Sequence, residues 1–177
     1  GVIHSLNLDT LEYGSIKKSR FKGIGRAREK ISLDKRLIEL ISSPDIAGEF
    51  SWEIFSATLL YSAFRIGEIS DDIVSIDNAL KWGFGWSKGP FETWDLLGFE
   101  NTLSRMRSEG KSIPNWIIKM SNKRFRSFYK VLNGEECFYC PKKELYIPIV
   151  HSRNTLTFSM VKAKGGLIRK GWSASLL

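Results

Sequence analysis

The stretch WGFGWSKGPFETWD, residues 82–95, constrains the fold more than any other part of this 177-residue sequence. It contains three tryptophans, two phenylalanines and three glycines. Each glycine inside a helix costs about 1 kcal/mol relative to alanine, so one uninterrupted helix is disfavoured. Gly83 and Gly85 favour the end of a helix, and Pro90 favours the first position of the next one. The stretch therefore predicts a helix, a tight turn and a second helix, with the aromatic side chains filling the corner.

Helical periodicity extends from this corner in both directions. The longest signal, residues 50–66, has an apolar stripe at spacings of three and four, which predicts a buried face made by Phe50, Ile54, Ala57, Leu60, Tyr61 and Phe64. Trp52, Phe55 and Leu59 lie partly off that stripe, so more than one side of this helix is expected to be covered. Ser70, Asp71 and Asp72 are typical of the cap that begins the next helix. The sequence predicts helices at 26–41, 50–66, 73–83, 90–98, 99–107 and 113–120, and hence a mainly α fold.

The segment RFRSFYKVLNG, residues 124–134, has two interpretations. Basic and aromatic residues interleave in it, as they do on surfaces that bind single-stranded nucleic acid. Helical spacing explains the same pattern with fewer assumptions, because Phe125, Phe128, Tyr129 and Leu132 then form one apolar stripe. We favour the helical interpretation.

After Asn133 and Gly134 the hydrophobic period changes to two, which predicts strands. CFYC at 137–140 and ELYIPIV at 144–150 predict a small hairpin, and Pro148 predicts that its second strand lies at an edge. Further strands are predicted at 156–160 and 167–168. The two cysteines are interpreted as reduced thiols in a strand, since a structural zinc site would need both histidines as additional ligands.

The net charge of +8 is unevenly distributed. Residues 37–104 carry three basic and eleven acidic side chains, whereas residues 105–130 carry eight basic and one acidic. The basic regions fit three roles: binding phosphates, forming a solvated surface, or meeting an acidic neighbour. FKGIGRAR begins a GxG, but its third glycine is replaced by Arg28 and no buried strand precedes it, which argues against a dinucleotide site. No apolar run is long enough to span a bilayer, and a cytoplasmic location is expected.

Residues 68–98, EISDDIVSIDNALKWGFGWSKGPFETWDLLG, carry a family resemblance. Their order of acidic cap, I-D-x-A, G-x-G and G-P-F-x-x-x-D-x-x-G resembles the C-terminal helical domain of the L-3-hydroxyacyl-CoA dehydrogenases. The WGFGW and GPFExWD variants resemble the second copy of that domain in long multidomain bacterial and archaeal fatty-acid oxidation proteins. The resemblance covers residues 48–150 well. The motif residues are Asp77, Trp82, Gly83, Gly85, Trp86, Gly89, Pro90, Phe91, Trp94 and Asp95.

The resemblance implies a helical bundle similar to the C-terminal domain of 6-phosphogluconate dehydrogenase, with a small C-terminal β-hairpin extension. It implies a linker or arm at 1–25, the helical domain at 26–133, and a hairpin with the start of a linker at 134–177. The expected partners are a dinucleotide-binding domain and an enoyl-CoA hydratase-like domain of the same parent chain, which would bind NAD and an acyl-CoA. Neither a membrane nor a nucleic acid is the expected partner.

The resemblance also implies that this domain supports catalysis without performing it. The family's catalytic His and Glu belong to the dinucleotide-binding domain, and FSATLLY at 55–61 lacks the Asn–Arg pair of the active copy. We therefore expect no catalytic, cofactor-binding or metal-binding residue here, and treat the motif residues as structural, with a possible acyl-CoA side. Glu92 and Asp95 are interpreted as first-turn helix residues rather than as an acid–base pair. The alternative is a basic helical adaptor that binds nucleic acid or a protein partner.

Overall fold

Seven helices and seven short strands form the fold of residues 3–16, 20–150, 169–170 and 175–176, the parts of the chain that the computed structural model describes. The chain divides into two compact units, residues 1–53 and 54–177. The helices are α1 (Lys22–Glu29), α2 (Leu33–Ile41), α3 (Ile46–Phe64), α4 (Ile73–Phe84), α5 (Pro90–Leu97), α6 (Phe99–Ser108) and α7 (Asn115–Asn122). The strands are β1 (His4–Leu6), β2 (Tyr13–Ser15), β3 (Tyr129–Leu132), β4 (Glu135–Cys140), β5 (Leu145–Pro148), β6 (Arg169–Lys170) and β7 (Ser175–Leu176). The prediction of a mainly α fold with a small β extension is confirmed.

In the first unit, β1 and β2 pair antiparallel and their side chains are exposed. The prediction of one helix at 26–41 is wrong, because α1 ends before Lys30 and α2 begins after Ser32. The Ser32 side chain caps α2 by accepting a hydrogen bond from the Lys35 N–H. The Asp45 carboxylate accepts hydrogen bonds from the N–H groups of Gly23 and Gly48, at 2.7 and 3.1 Å. It thus ties the start of α1 to the start of α3.

Helix α3 buries a different face from the one predicted. Ile54, Tyr61 and Phe64 are exposed, whereas the buried positions are Trp52, Ser56, Leu59, Leu60 and Ala63. Because this helix is apolar on every side, the spacing of its hydrophobic residues does not identify one face. The predicted stripe is therefore wrong, except for Leu60, whereas the expected burial outside the stripe is found at Trp52 and Leu59.

An aromatic cluster forms the core of the second unit. Phe128 is fully buried at its centre, with its ring centroid 5.1 Å from that of Phe91, 5.3 Å from those of Trp94 and Phe99, and 6.0 Å from that of Trp116. The rings meet tilted or edge to face, the arrangements that aromatic pairs prefer. Trp116 also donates its indole N–H to the Ala63 carbonyl at 2.9 Å, which holds α7 against α3.

Strands β3, β4 and β5 form an antiparallel sheet in that order. The hairpin and the edge position of Pro148 are confirmed. The helical interpretation of residues 124–134 is wrong, because Tyr129–Leu132 is a strand paired with Glu135–Cys140. Asn133 and Gly134 both have positive φ, 50° and 78°, which produces the tight turn between these strands. The strands predicted at 156–160 and 167–168 lie outside the described residues.

Candidate functional site

The junction between α4 and α5 contains most of the motif residues. Asp72 caps the start of α4 and accepts a hydrogen bond from the Ser75 N–H at 2.7 Å, as predicted. The helix continues through Gly83 to Phe84 and ends at Gly85, which has a left-handed φ of 68°. Helix α5 begins at Pro90 and ends before Gly98, also as predicted. The helix–turn–helix prediction for this stretch is therefore confirmed.

Asp77 is a buried anchor on α4, which answers a question that the sequence leaves open. Its side chain is fully buried. Oδ1 accepts from the Phe91 N–H at 2.9 Å, while Oδ2 accepts from the Glu92 N–H at 3.1 Å and from the Tyr129 hydroxyl at 2.8 Å. The first N–H groups of a helix have no partner within it, and the N-terminus attracts negative charge. Asp77 thus joins α4 to the start of α5 and to β3.

Gly89 permits this arrangement by having no side chain. A Cβ atom placed on Gly89 would lie 2.3 Å from both Cβ and Cγ of Asp77. Its backbone, with φ −76° and ψ 175°, is one that any residue adopts. The requirement for glycine is therefore close approach and not backbone freedom.

Glu92 and Asp95 have different roles. Glu92 accepts the Gly89 N–H at 2.9 Å and forms an ion pair with Lys81 at 2.6 Å, so it occupies the first turn of α5 as expected. Asp95 lies in the second turn, which corrects the interpretation of both carboxylates as first-turn residues. Its carboxylate accepts the N–H groups of Phe128 and Tyr129, each at 2.8 Å. It holds the start of β3 against α5.

The aromatic residues of the motif separate into two groups. Phe91 and Trp94 are fully buried, but Trp82 is 81% exposed, Phe84 74% and Trp86 39%. The expectation that the aromatic side chains together fill the corner is therefore wrong for Trp82 and Phe84. The corner is closed by Gly89 and by the polar contacts of Asp77.

A cleft of about 750 Å³ lies beside the junction, between α4, α5 and the first two strands of the sheet. Trp82, Lys81 and Glu92 line it from the helices, and Tyr129 and Lys130 from the sheet. Cys137 also contributes to the wall, and both cysteines are free thiols in β4, which agrees with the sequence interpretation. The cleft therefore presents an aromatic ring, cations and carboxylates on adjoining walls.

Burial raises the pKa of the buried Asp77 and of the half-buried Asp95. The pKa of Asp77 rises to about 7, although the Phe91 N–H and the Tyr129 hydroxyl act in the opposite direction. The pKa of Asp95 rises to about 6, although hydrogen bonds from the N–H groups of Phe128 and Tyr129 lower it. Burial next to these carboxylates also raises the pKa of Tyr129, which keeps its hydroxyl protonated as a donor.

These shifts predict a pH dependence of stability. An aspartate in an unfolded chain titrates near pH 3.9, so between about pH 4 and pH 7 the folded state holds protons that the unfolded state has released. We expect the free energy of unfolding of the 177-residue chain to fall as pH rises through this window, measured by urea unfolding. In the Asp95→Asn variant, the free energy of unfolding is expected to fall less over this pH window than in the unsubstituted chain. A stability that rises steadily from pH 4.5 to pH 7 would contradict the assignment.

Tyr129 and Lys81 are the functional residues that the sequence interpretation missed. The helical interpretation places Tyr129 on an apolar stripe, whereas it lies in strand β3 and its hydroxyl donates a hydrogen bond to Asp77 of α4. The Asn133–Gly134 pair between YKVL and EECFYC is a hairpin signal that would have identified the strand. No local signal indicates that Lys81 pairs with Glu92, because that contact depends on the turn between α4 and α5.

The geometry defines a mainly helical domain whose junctions are held by buried carboxylates and which carries a small antiparallel sheet. A Bacillus subtilis (strain 168) protein named "Probable 3-hydroxyacyl-CoA dehydrogenase" is 38% identical over 175 residues, 99% of this chain and 22% of the relative. A Rickettsia felis (strain ATCC VR-1525 / URRWXCal2) protein named "Putative fatty acid oxidation complex trifunctional enzyme" is 32% identical over 139 residues, 74% of this chain and 18% of the relative. Over nearly its whole length, the chain is thus similar to one segment of a protein named as a 3-hydroxyacyl-CoA dehydrogenase.

The chain spans about a fifth of the length of the curated relatives it matches. No family model and no solved structure matches it. The likeness to the C-terminal domain of 6-phosphogluconate dehydrogenase therefore stays a prediction, as does the division at residues 25 and 133. Among the helices of the described residues, none is both long enough and apolar enough to cross a membrane.

Proposed function

We propose that this chain is the second helical domain of a multidomain, NAD-dependent 3-hydroxyacyl-CoA dehydrogenase of fatty-acid β-oxidation. The parent protein would oxidise (S)-3-hydroxyacyl-CoA to 3-oxoacyl-CoA. The observation that carries the proposal is the 38% identity across 99% of this chain to a protein named as such a dehydrogenase. A location in the cytoplasm is part of the proposal, and two free thiols in β4 are compatible with a reducing compartment.

The role proposed for this domain is support and not catalysis. Asp77 and Asp95 already accept hydrogen bonds from backbone N–H groups, and Asp77 also accepts one from the Tyr129 hydroxyl. A general base needs a free acceptor within reach of the proton that it removes. Asp77 and Asp95 therefore stabilise the domain, while a dinucleotide-binding domain elsewhere in the parent would hold NAD and supply the base.

The proposed partners are that dinucleotide-binding domain and an enoyl-CoA hydratase-like domain of the same parent chain. The relatives are long enough for several further domains, because this chain accounts for only 22% and 18% of them. The proposed contact surface for those domains or for acyl-CoA consists of the exposed Trp82 and Phe84 and the adjoining cleft. Large exposed apolar side chains in a group are typical of such contacts.

The test compares the full-length parent protein with the 177-residue chain. Each is incubated with NAD and a 3-hydroxyacyl-CoA, and NADH formation is followed by absorbance. We expect turnover by the parent and none by the chain alone. Absence of turnover by the parent would refute the activity, whereas turnover by the chain alone would refute the supporting role and leave the activity standing.

A further inference from the structure

The segment between α7 and β3 forms a second, smaller concavity. Residues 124–128 are not helical, and Phe128 is buried in the core. Residues 124–127 line a groove of about 510 Å³ together with neighbours from β3 and β5. We call this the basic groove; the lining residues used below are Lys123, Arg124, Phe125, Arg126, Lys130 and Tyr146.

The basic groove has an excess of positive charge. No carboxylate is among the described residues that line it. Lys123 forms an ion pair with Glu144, and Arg126 pairs with Glu100 at 3.0 Å, both outside the lining. Within the described part of the chain, Arg124 and Lys130 form no ion pair. Two cations of the groove are thus not neutralised by the structured residues.

Arg124 occupies a backbone position that favours glycine. It follows the last turn of α7 with a φ of 64°. The Phe125 N–H donates to the Met120 carbonyl at 3.1 Å and the Arg124 N–H to the Ser121 carbonyl at 2.9 Å, which is the helix-ending motif that usually places glycine here. Arg126 already donates to the Ser121 carbonyl at the helix end. The backbone of Arg124 caps the helix, whereas its side chain forms no ion pair within the described residues and is exposed beside the groove.

Two aromatic rings also line the groove. Phe125 and Tyr146 are half-buried, with ring centroids 5.3 Å apart and planes at 81°. The Tyr146 hydroxyl donates to the Ser127 carbonyl at 2.6 Å, which fixes the ring. Lys130 lies over this ring, with its Nζ 5.9 Å from the centroid. Aromatic rings beside cations are suited to a ligand that has both a flat ring and a negatively charged group.

We propose that the basic groove binds a mononucleotide through its terminal phosphate. A guanidinium donates two parallel hydrogen bonds to a phosphate, and an ammonium adds a point charge. Aromatic side chains supply surfaces on which a base stacks. The groove volume lies in the range of small-molecule sites, about 300–1,000 Å³. Because a terminal phosphate carries nearly two negative charges, it matches Arg124 and Lys130 better than a singly charged phosphodiester does.

The test is calorimetric titration of the 177-residue chain with ADP at low salt, with adenosine and NAD as comparison ligands. We expect ADP to bind, adenosine not to bind, and NAD to bind at least about tenfold more weakly than ADP, because NAD has only phosphodiester-type charges. Raising the salt concentration is expected to weaken the ADP affinity. Absence of ADP binding would overturn the proposal, as would equal affinity for adenosine.

The variant that tests the groove is Arg124→Asn. Asparagine tolerates a positive φ, so the substitution removes the charge without adding backbone strain. We expect ADP affinity to fall about tenfold or more, the range for a lost charge-assisted hydrogen bond. The matched control is Lys142→Asn, which removes the same charge from an exposed turn outside the groove. An equal loss in both variants would refute the site, and affinity that rises with oligonucleotide length would refute a mononucleotide ligand.

This inference does not depend on the proposed dehydrogenase function. ADP binding is measured on the chain alone, without acyl-CoA and without turnover. Failure of ADP to bind leaves the turnover comparison unaffected, and failure of the parent protein to form NADH leaves the groove unaffected. The two results are therefore distinguishable.

Discussion

Replacing Asp77 with alanine is expected to lower the free energy of unfolding of the 177-residue chain by about 3–5 kcal/mol, measured by urea unfolding at pH 7. The carboxylate is fully buried and accepts three hydrogen bonds. Without it, the Phe91 N–H, the Glu92 N–H and the Tyr129 hydroxyl lose their partner in a buried site. Each unsatisfied buried donor costs about 1–3 kcal/mol, and water entering the vacated space reduces the sum.

Two control variants distinguish this effect from the general cost of losing an aspartate. Asp72→Ala removes a half-buried aspartate that caps the start of α4 and also accepts a backbone N–H, and a lost N-cap costs about 1 kcal/mol. Tyr129→Phe removes only one of the three donors to Asp77, and we expect a loss of about 1 kcal/mol. If Asp77→Ala cost no more than Asp72→Ala, the central role of the buried carboxylate would be wrong. If the Asp77→Ala variant does not fold, the stability of Tyr129→Phe still measures the hydrogen bond between Tyr129 and Asp77.

Helix boundaries were the part of the fold that local sequence could predict. Asp72, Gly85, Pro90 and Gly98 act on the backbone next to them, by accepting a free N–H, by permitting positive φ or by fixing φ. Such effects need no knowledge of distant residues. The predicted ends of α4, α5 and α6 accordingly agree with the observed ends to within one residue.

Burial and pairing between distant residues could not be predicted in the same way. Helix α3 is apolar on all sides, so only its neighbours decide which face is buried. The pattern in residues 124–134 fits a helical stripe as well as a strand, and pairing with β4 selects the strand. Exposure of Trp82 and Phe84 likewise depends on which face at the end of α4 packs against other elements.

The motif shows the same division between local and tertiary information. The sequence indicated that Asp77, Gly89 and Asp95 matter, because they occur at fixed offsets among glycines and prolines. It did not indicate that Asp95 would accept the N–H groups of residues more than thirty positions away, or that Tyr129 would donate to Asp77. The chemistry of each residue was available from the sequence, whereas its partner was a property of the fold.

Gly89→Ala is expected to destabilise the chain by about 3 kcal/mol or more, a severe case of overpacking. The new Cβ would lie 2.3 Å from Cβ and Cγ of Asp77, so either α5 must move or Asp77 must leave its three donors. The backbone of Gly89 is in an extended conformation, and strain in φ therefore does not contribute. The effect comes entirely from contact between side chains, and urea unfolding at pH 7 measures it.

The matched control is Gly83→Ala, six positions before Gly89 in the same motif stretch. Gly83 lies inside α4 with no atom within 4 Å of its Cβ position. Alanine there is expected to stabilise the chain by about 0.5–1 kcal/mol, since glycine is the poorer helix former. The two glycine substitutions should thus have opposite signs. Stabilisation by both would mean that α5 does not approach α4 through Gly89, and the buried network around Asp77 would then be wrong as well.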